Sequence, residues 1–444
     1  MKLVEKNQEK GITLVALIIT IIVLVILAAV AITTVYQTGI IEFATQGVTN
    51  YSEAGVNENR IMNGTMAYVN SVVQNIYDIM GGDGGRITNP PEEQDPPQGP
   101  EVPTTVVDAM DEEYEFEETK SIEDGKGNKV TVPGGFHFAT DSGTTVQEGI
   151  VVEDSQGNQF VWIPVSNTKH NGSNPIKKND GTEVEITLGR YTFDTSDGST
   201  GAPLQYAKGT EADYTQTVTI SDYYQEIDEF RDSDTTNSAT AKNATAKNLG
   251  AFIESVEKWG GYYLGRYEAS YASGSSFGVG SSTSYYKPQI KKSTSNSTSS
   301  MSYTKGRLWN FITQGNASKV ARNMYYGNSY VESDLVNSYM WDTAIVYIQS
   351  MGNSNYANQN RGSNTSLKNT GETGDEKCKI NDMAGNLYEW TTESSTSMNS
   401  GNAFSCVYRA CGYTSTDTRV ATRGSSGMLG ENNNVGFRVA LYVK

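Results

Sequence analysis

The stretch NDMAGNLYEWT, residues 381–391, decides how the rest of the chain is read. Two carboxylates, Asp382 and Glu389, bracket a turn containing Gly385, and Trp390 follows. From the residues alone this is a loop held by hydrogen bonds around Glu389, with Trp390 in the core. Outward from it, from about residue 129, short apolar runs alternate with Gly and Asn turns. Examples are FVWIPV at 160–165, GGYYLGRYEAS at 260–270 and VGFRVALYVK at 435–444, all of them strand signals. Short helices are expected near 305–313, around RLWNFI, and at 334–351, where DLVNSYMWDTAIVYIQSM has helical spacing. The segment 272–304, rich in Ser, Thr, Gly and Tyr, reads as a long exposed loop or insertion. No internal repeat is evident.

The order of these motifs resembles the formylglycine-generating enzyme (sulfatase-modifying factor) family, which has a C-type-lectin-like fold. NDMAGNLYEWT is similar to that family's most specific signature, and FVWIPV to its opening strand. GGYYLGRYEAS, SYMWDTAIVYI, YRACGY at 408–413 and GFRVAL at 436–441 follow in the family's order. The resemblance implies a structural Ca²⁺ held by Asp382, the carbonyls of Gly385 and Leu387, and Glu389. The oxygen donor types suit that ion. The hydrogen-bonded loop remains the alternative.

The same resemblance implies oxygenase chemistry only where its metal ligands are present. Copper-dependent members use two Cys five residues apart. Cys406 and Cys411 have that spacing but stand at the YRACGY motif, and the equivalent positions hold Ser415 and Val420. The iron-dependent branch needs three His, and the chain has two, His137 and His170. The domain is therefore expected not to be an enzyme. Cys406 and Cys411 are expected as small surface residues or a local disulfide, and Cys378 as a half-buried small hydrophobe.

The N-terminus carries a separate signal. Residues 12–35, ITLVALIITIIVLVILAAVAITTV, contain no charge. As a helix rising about 1.5 Å per residue they would extend roughly 36 Å, enough to cross a membrane. Lys2, Lys6, Lys10 and Gly11 precede them. This arrangement resembles a type IV prepilin leader and implies cleavage between Gly11 and Ile12. The pattern departs from major pilins in Ile12, where they carry Phe, and in Ala16, where they carry Glu. That favours a minor subunit. The expected organisation is a leader at 1–11, a membrane helix at 12–35, an amphipathic stalk helix at 36–80, a Pro/Gly/acidic linker at 81–128, and a lectin-like domain at 129–444. The linker holds six of the eleven prolines between 89 and 103. The fold class is thus α+β: a long pilin-like helix, then a C-type-lectin-like domain with many short strands and loops.

Composition narrows the function. With 34 Lys and Arg against 51 Asp and Glu, the net charge of −17 argues against nucleic acid as a partner. Three Cys are too few for a disulfide scaffold of 444 residues. The segment between Trp390 and Gly436 is dominated by Ser, Thr, Asn, Gly, Tyr, Arg and Ala. Its place and composition resemble the variable region of proteins diversified by retroelements that rewrite adenine-containing codons. An ordinary variable loop is the alternative. The expected ligand-binding residues are Tyr408, Ala410, Cys411, Tyr413, Ser415, Asp417 and Arg419. The expected function is a ligand-binding or adhesion subunit of a pilus or pseudopilus, displayed at the bacterial cell surface, membrane-anchored through 12–35, with a surface protein or glycan as ligand. A residual formylglycine-generating oxidase and a purely structural pilus component are the alternatives.

Overall fold

Strands buried on both faces read as continuous apolar runs rather than alternating ones, and three such runs build the centre of the molecule. In a computed structural model, which describes residues 102–201, 224–226, 249–361, 365–395, 405–416, 418–427 and 430–444, they are the middle strands of a six-stranded antiparallel sheet. The leader 1–11, the apolar 12–35, the stalk 36–80 and the linker up to residue 101 lie outside the described residues, as does Asp417. Among the described residues no helix is long and apolar enough to cross a membrane.

The strands, in chain order, begin with β1 (Lys120–Glu123), β2 (Lys129–Val132), β3 (Phe136–Phe138), β4 (Val151–Asp154) and β5 (Gln159–Pro164). Next come β6 (Ile176–Lys177), β7 (Glu183–Val184), β8 (Tyr224–Glu226), β9 (Gly261–Gly265), β10 (Ser270–Ser273) and β11 (Lys287–Gln289). Then follow β12 (Val331–Leu335), β13 (Glu376–Lys377), β14 (Ile380–Asn381), β15 (Tyr388–Ser395) and β16 (Ser405–Arg409). β17 (Arg423–Ser426), β18 (Val435–Phe437) and β19 (Val439–Val443) close the domain. The described α-helices are α1 (Val106–Asp111), α2 (Leu249–Trp259), α3 (Gln314–Met324) and α4 (Ser338–Ser350).

The large sheet runs β12-β19-β9-β5-β4-β3, with Trp162 opposite Tyr263 and Leu441 opposite Tyr263 on the other side. A second sheet, β17-β16-β15-β18, carries the segment 381–391 into the fold, and β8 also pairs with β15. β15 and β18 are parallel and set Trp390 beside Phe437. Trp390 is fully buried, and its indole N–H donates to the Ile312 carbonyl at 2.8 Å.

Three expectations are corrected here. The linker does not continue to residue 128. The compact unit spans Gly99–Lys444, and 104–128 fold into it through α1 and the β1–β2 hairpin. Val106, Ala109, Phe116 and Ile122 are buried, apolar anchors that the surrounding acidic residues masked in the sequence. Residues 305–313 are not a helix. Trp309 donates its amide to the Ala269 carbonyl, which draws the chain across the core, and α3 starts only after Thr313 caps it. Likewise DL at 334–335 belongs to β12, paired with β19, and Asn337 then caps α4.

A short repeat is present as well. EDGKGN at 123–128 and EDSQGN at 153–158 turn hairpins β1–β2 and β4–β5 in the same way. In each, the Asp Oδ1 accepts two backbone amides and Oδ2 accepts the Asn side chain. Gly127 and Gly157 both have φ of 79°, where a Cβ would be strained. The Asn Oδ1 atoms then receive the amides of Lys177 and Ile290, tying each turn to a distant segment.

Candidate functional site

The loop leading into β15 is organised by one ion pair. Arg438 meets Glu389 through Nη2–Oε1 at 2.6 Å and Nε–Oε2 at 3.0 Å, both side chains being buried. Its remaining N–H groups donate to the carbonyls of Gly265 and Asn381, each at 2.8 Å. Glu268 accepts the Asn386 side chain at 2.5 Å and the Leu387 amide at 2.9 Å. Asp382 accepts the hydroxyls of Thr370 and Thr373 and the Gly371 amide, all at 2.6 Å. Burial raises Glu268 well above the usual carboxylate range and also raises Asp382 and Glu389, with Arg438 opposing the shift.

Of the Ca²⁺ set implied by the resemblance, Asp382, Gly385, Leu387 and Glu389, the two carboxylates have protein donors on their oxygens. Both Glu389 oxygens face a guanidinium, and both Asp382 oxygens face O–H or N–H donors. Among the described residues no group of three His, Cys, Asp or Glu is arranged to hold a metal ion. The loop is held by hydrogen bonds around Glu389.

Cys406 and Cys411 are placed differently from the expectation, whereas Cys378 is placed as expected. Cys406 and Cys411 are both buried and neither forms a disulfide. Cys411 donates its thiol to the Ala384 carbonyl at 2.7 Å, and burial pushes the Cys406 thiol up. Cys378 is half-buried. At the positions equivalent to the copper ligands, Val420 is buried and offers its carbonyl to the Trp341 indole, and the Ser415 hydroxyl meets Thr418. His170 bonds Ser121 at 3.0 Å, and His137 lies 3.9 Å from Glu153.

Of the expected binding residues, Tyr408, Ser415 and Arg419 reach solvent in part. Ala410, Cys411 and Tyr413 do not. They form a wall of the 381–391 loop: the Tyr413 amide donates to the Asn386 carbonyl, and its ring packs with Leu308, Leu367 and Leu387 at 6% exposure. Ala410 is buried and takes φ of 71°. Arg419 is engaged with the Thr195 carbonyl at 2.9 Å.

Two groupings escaped the sequence, which singled out Tyr408 but not its partner Tyr388 and none of the buried arginines around Glu393. Tyr388 lies 4.6 Å from Tyr408, ring centre to ring centre, and its hydroxyl is 3.2 Å from that of Thr418. Both rings are half-buried and sit over glycines: a Cβ on Gly424 would come 2.2 Å from the Tyr408 ring, and one on Gly412 2.7 Å from Tyr388. Elsewhere on β15–β17, Arg409 and Arg423 bridge Glu393 to Asp342 of α4. Arg190 joins Glu393 at 2.8 Å. Burial alone would raise Glu393, but Arg423, Arg409 and Arg190 hold it down to about 2. The signal for the tyrosine pair was Tyr388 inside the NLYEW motif itself; for the arginines there was no local signal.

Residues 264–443 match the family described as the Sulfatase-modifying factor enzyme 1-like domain. This part of the chain is formylglycine-generating-enzyme-like, with many short strands and few helices. The match opens within β9, so FVWIPV lies before it, although β5 pairs directly with β9. No curated protein matches the chain.

Proposed function

We propose that this chain is a surface-displayed ligand-binding or adhesion protein, anchored through residues 12–35 in the manner of a minor pilin, whose C-terminal unit presents a ligand without catalysing a reaction. The observation that carries this reading is the Tyr388–Tyr408 pair. Two half-buried rings lie over glycines on a sheet tied to α4 by buried arginine–carboxylate pairs. Tyrosines held this way meet a ligand with little loss of rotamer entropy. The non-catalytic part is supported by the thiols: buried Cys406 and Cys411 are poor sources of the thiolate that copper requires.

Within 405–430, Tyr408, Ser415 and Arg419 reach solvent in part, whereas Ala410, Cys411 and Tyr413 are buried. Codon rewriting by a retroelement would leave a near-copy of this stretch in the flanking DNA, differing at adenines.

The reading is tested by attachment of cells displaying the full chain to host-type and bacterial surfaces. Tyr388→Ala with Tyr408→Ala should abolish attachment while leaving the protein folded. Stoichiometric copper(I) binding with substrate oxidation by the wild-type chain would favour the oxidase instead.

A further inference from the structure

The segment 272–304, which pairs β11 with β10, holds a second aromatic surface that the reading above does not use. Tyr303 is 45% exposed and stacks on buried Tyr286 with ring centres 4.6 Å apart and planes 18° from parallel. Phe277 lies against the same Tyr286 ring at 4.7 Å. Trp309 stands edge-on to Tyr303 at 6.1 Å and 80°. The exposed ring is therefore fixed from below, with its outer face free to receive a flat apolar partner.

The surroundings restrict what that partner is. Ser302 and Thr304 flank Tyr303 in the chain, and their hydroxyl oxygens lie 3.1 Å apart. One half-exposed tyrosine offers on the order of 100 Å², far below the roughly 800 Å² per partner of a stable protein interface. Serine and threonine do not supply the missing anchors, since they are poor in hot-spot energy. A polyanion is disfavoured by the chain's net charge of −17. A pyranose ring matches on each count: one aromatic ring in size, with an apolar C–H face for Tyr303 and hydroxyls to pair with those of the neighbouring Ser302 and Thr304.

We infer that Tyr303, seated on Tyr286, is the stacking platform of a binding site for a neutral saccharide. It stands independently of the Tyr388–Tyr408 reading.

The test uses the full-length chain purified in mild detergent and its retention on insoluble cellulose, chitin and amylose. Retention on at least one is expected, with release by the matching soluble oligosaccharide. Tyr303→Ala should weaken retention by about tenfold or more and Tyr303→Phe by no more than about threefold, because the ring face rather than the hydroxyl makes the contact. Tyr303→Leu keeps apolar bulk over Tyr286 yet presents no flat face, and should behave as the alanine variant does. Retention on none of the three polymers overturns the inference. So does undiminished retention of folded Tyr303→Ala or Tyr303→Leu. Loss of retention in Tyr388→Ala with Tyr408→Ala, together with full retention in Tyr303→Ala, overturns it in favour of the other surface.

Discussion

Arg438 holds both oxygens of Glu389 from 49 positions further along the chain. This pair joins the last strands of the domain to the loop that enters β15, and neither side chain touches solvent. Removing one partner leaves the other charge buried and alone. Glu389→Ala should therefore cost about 3–5 kcal/mol in denaturant unfolding. A loss below about 1 kcal/mol would show that water reaches Arg438.

Calcium should not stabilise the domain. A bound ion at a hundred times its Kd would add about 2.7 kcal/mol, a shift of several degrees in Tm. The wild-type chain should melt within about 1 °C in millimolar calcium and in chelator, since about 1 kcal/mol moves Tm by a few degrees in domains of this size. A clear rise with calcium would mean that Glu389 and Asp382 exchange their present donors for the ion.

Acid should act through Glu393. Its folded pKa is held at about 2, below its unfolded value. Its contribution is then fully present above the unfolded pKa, near 4.3, and is lost as pH falls through about 2. The difference amounts to about 3 kcal/mol. Wild-type stability should exceed that of Glu393→Gln at pH 6, with the gap closing between about pH 5 and pH 2. A gap that stays constant over that range would exclude the carboxylate's charge as the cause.

The two tyrosine classes should separate cleanly. Tyr413→Ala empties a packed site and should cost about 3–5 kcal/mol, the range for large aromatic truncations. Tyr388→Ala and Tyr408→Ala, at half-buried positions, should each cost clearly less. Equal losses in thermal or chemical unfolding would place Tyr408 in the core.

Gly424→Ala should displace the Tyr408 ring, because the added Cβ would come 2.2 Å from it. The expected loss in stability is about 1–3 kcal/mol, as for overpacking, and attachment should fall as it does for Tyr408→Ala. Wild-type attachment by this variant would show that the ring's seat is not part of recognition.

Several features were legible in the residues themselves. FVWIPV, GGYYLG and VALYV became strands of the large sheet, and SYMWDTAIVYIQS became α4. Trp390 went to the core, as the motif around it implied. These elements are local in origin: continuous apolar runs demand burial on both faces, and helical spacing demands a helix wherever the partner lies.

The 408–423 segment is the opposite case. Its small and polar residues have the composition of a surface, yet Ala410, Cys411 and Arg409 are fully buried. Asp342, which receives Arg409, lies 67 positions earlier, and Arg190, which shares Glu393 with it, lies 203 positions before that carboxylate. The surroundings of the two loop carboxylates were hidden for the same reason. Asp382 and Glu389 carry suitable oxygens, but the donors facing those oxygens come from Thr370, Thr373 and Arg438. Residue type by itself determined which strands and which helix had to be buried. Whether a charged or small side chain met solvent, an ion or an opposite charge was decided only by tertiary structure, because the energy of a buried charge is set by partners that the local sequence does not contain.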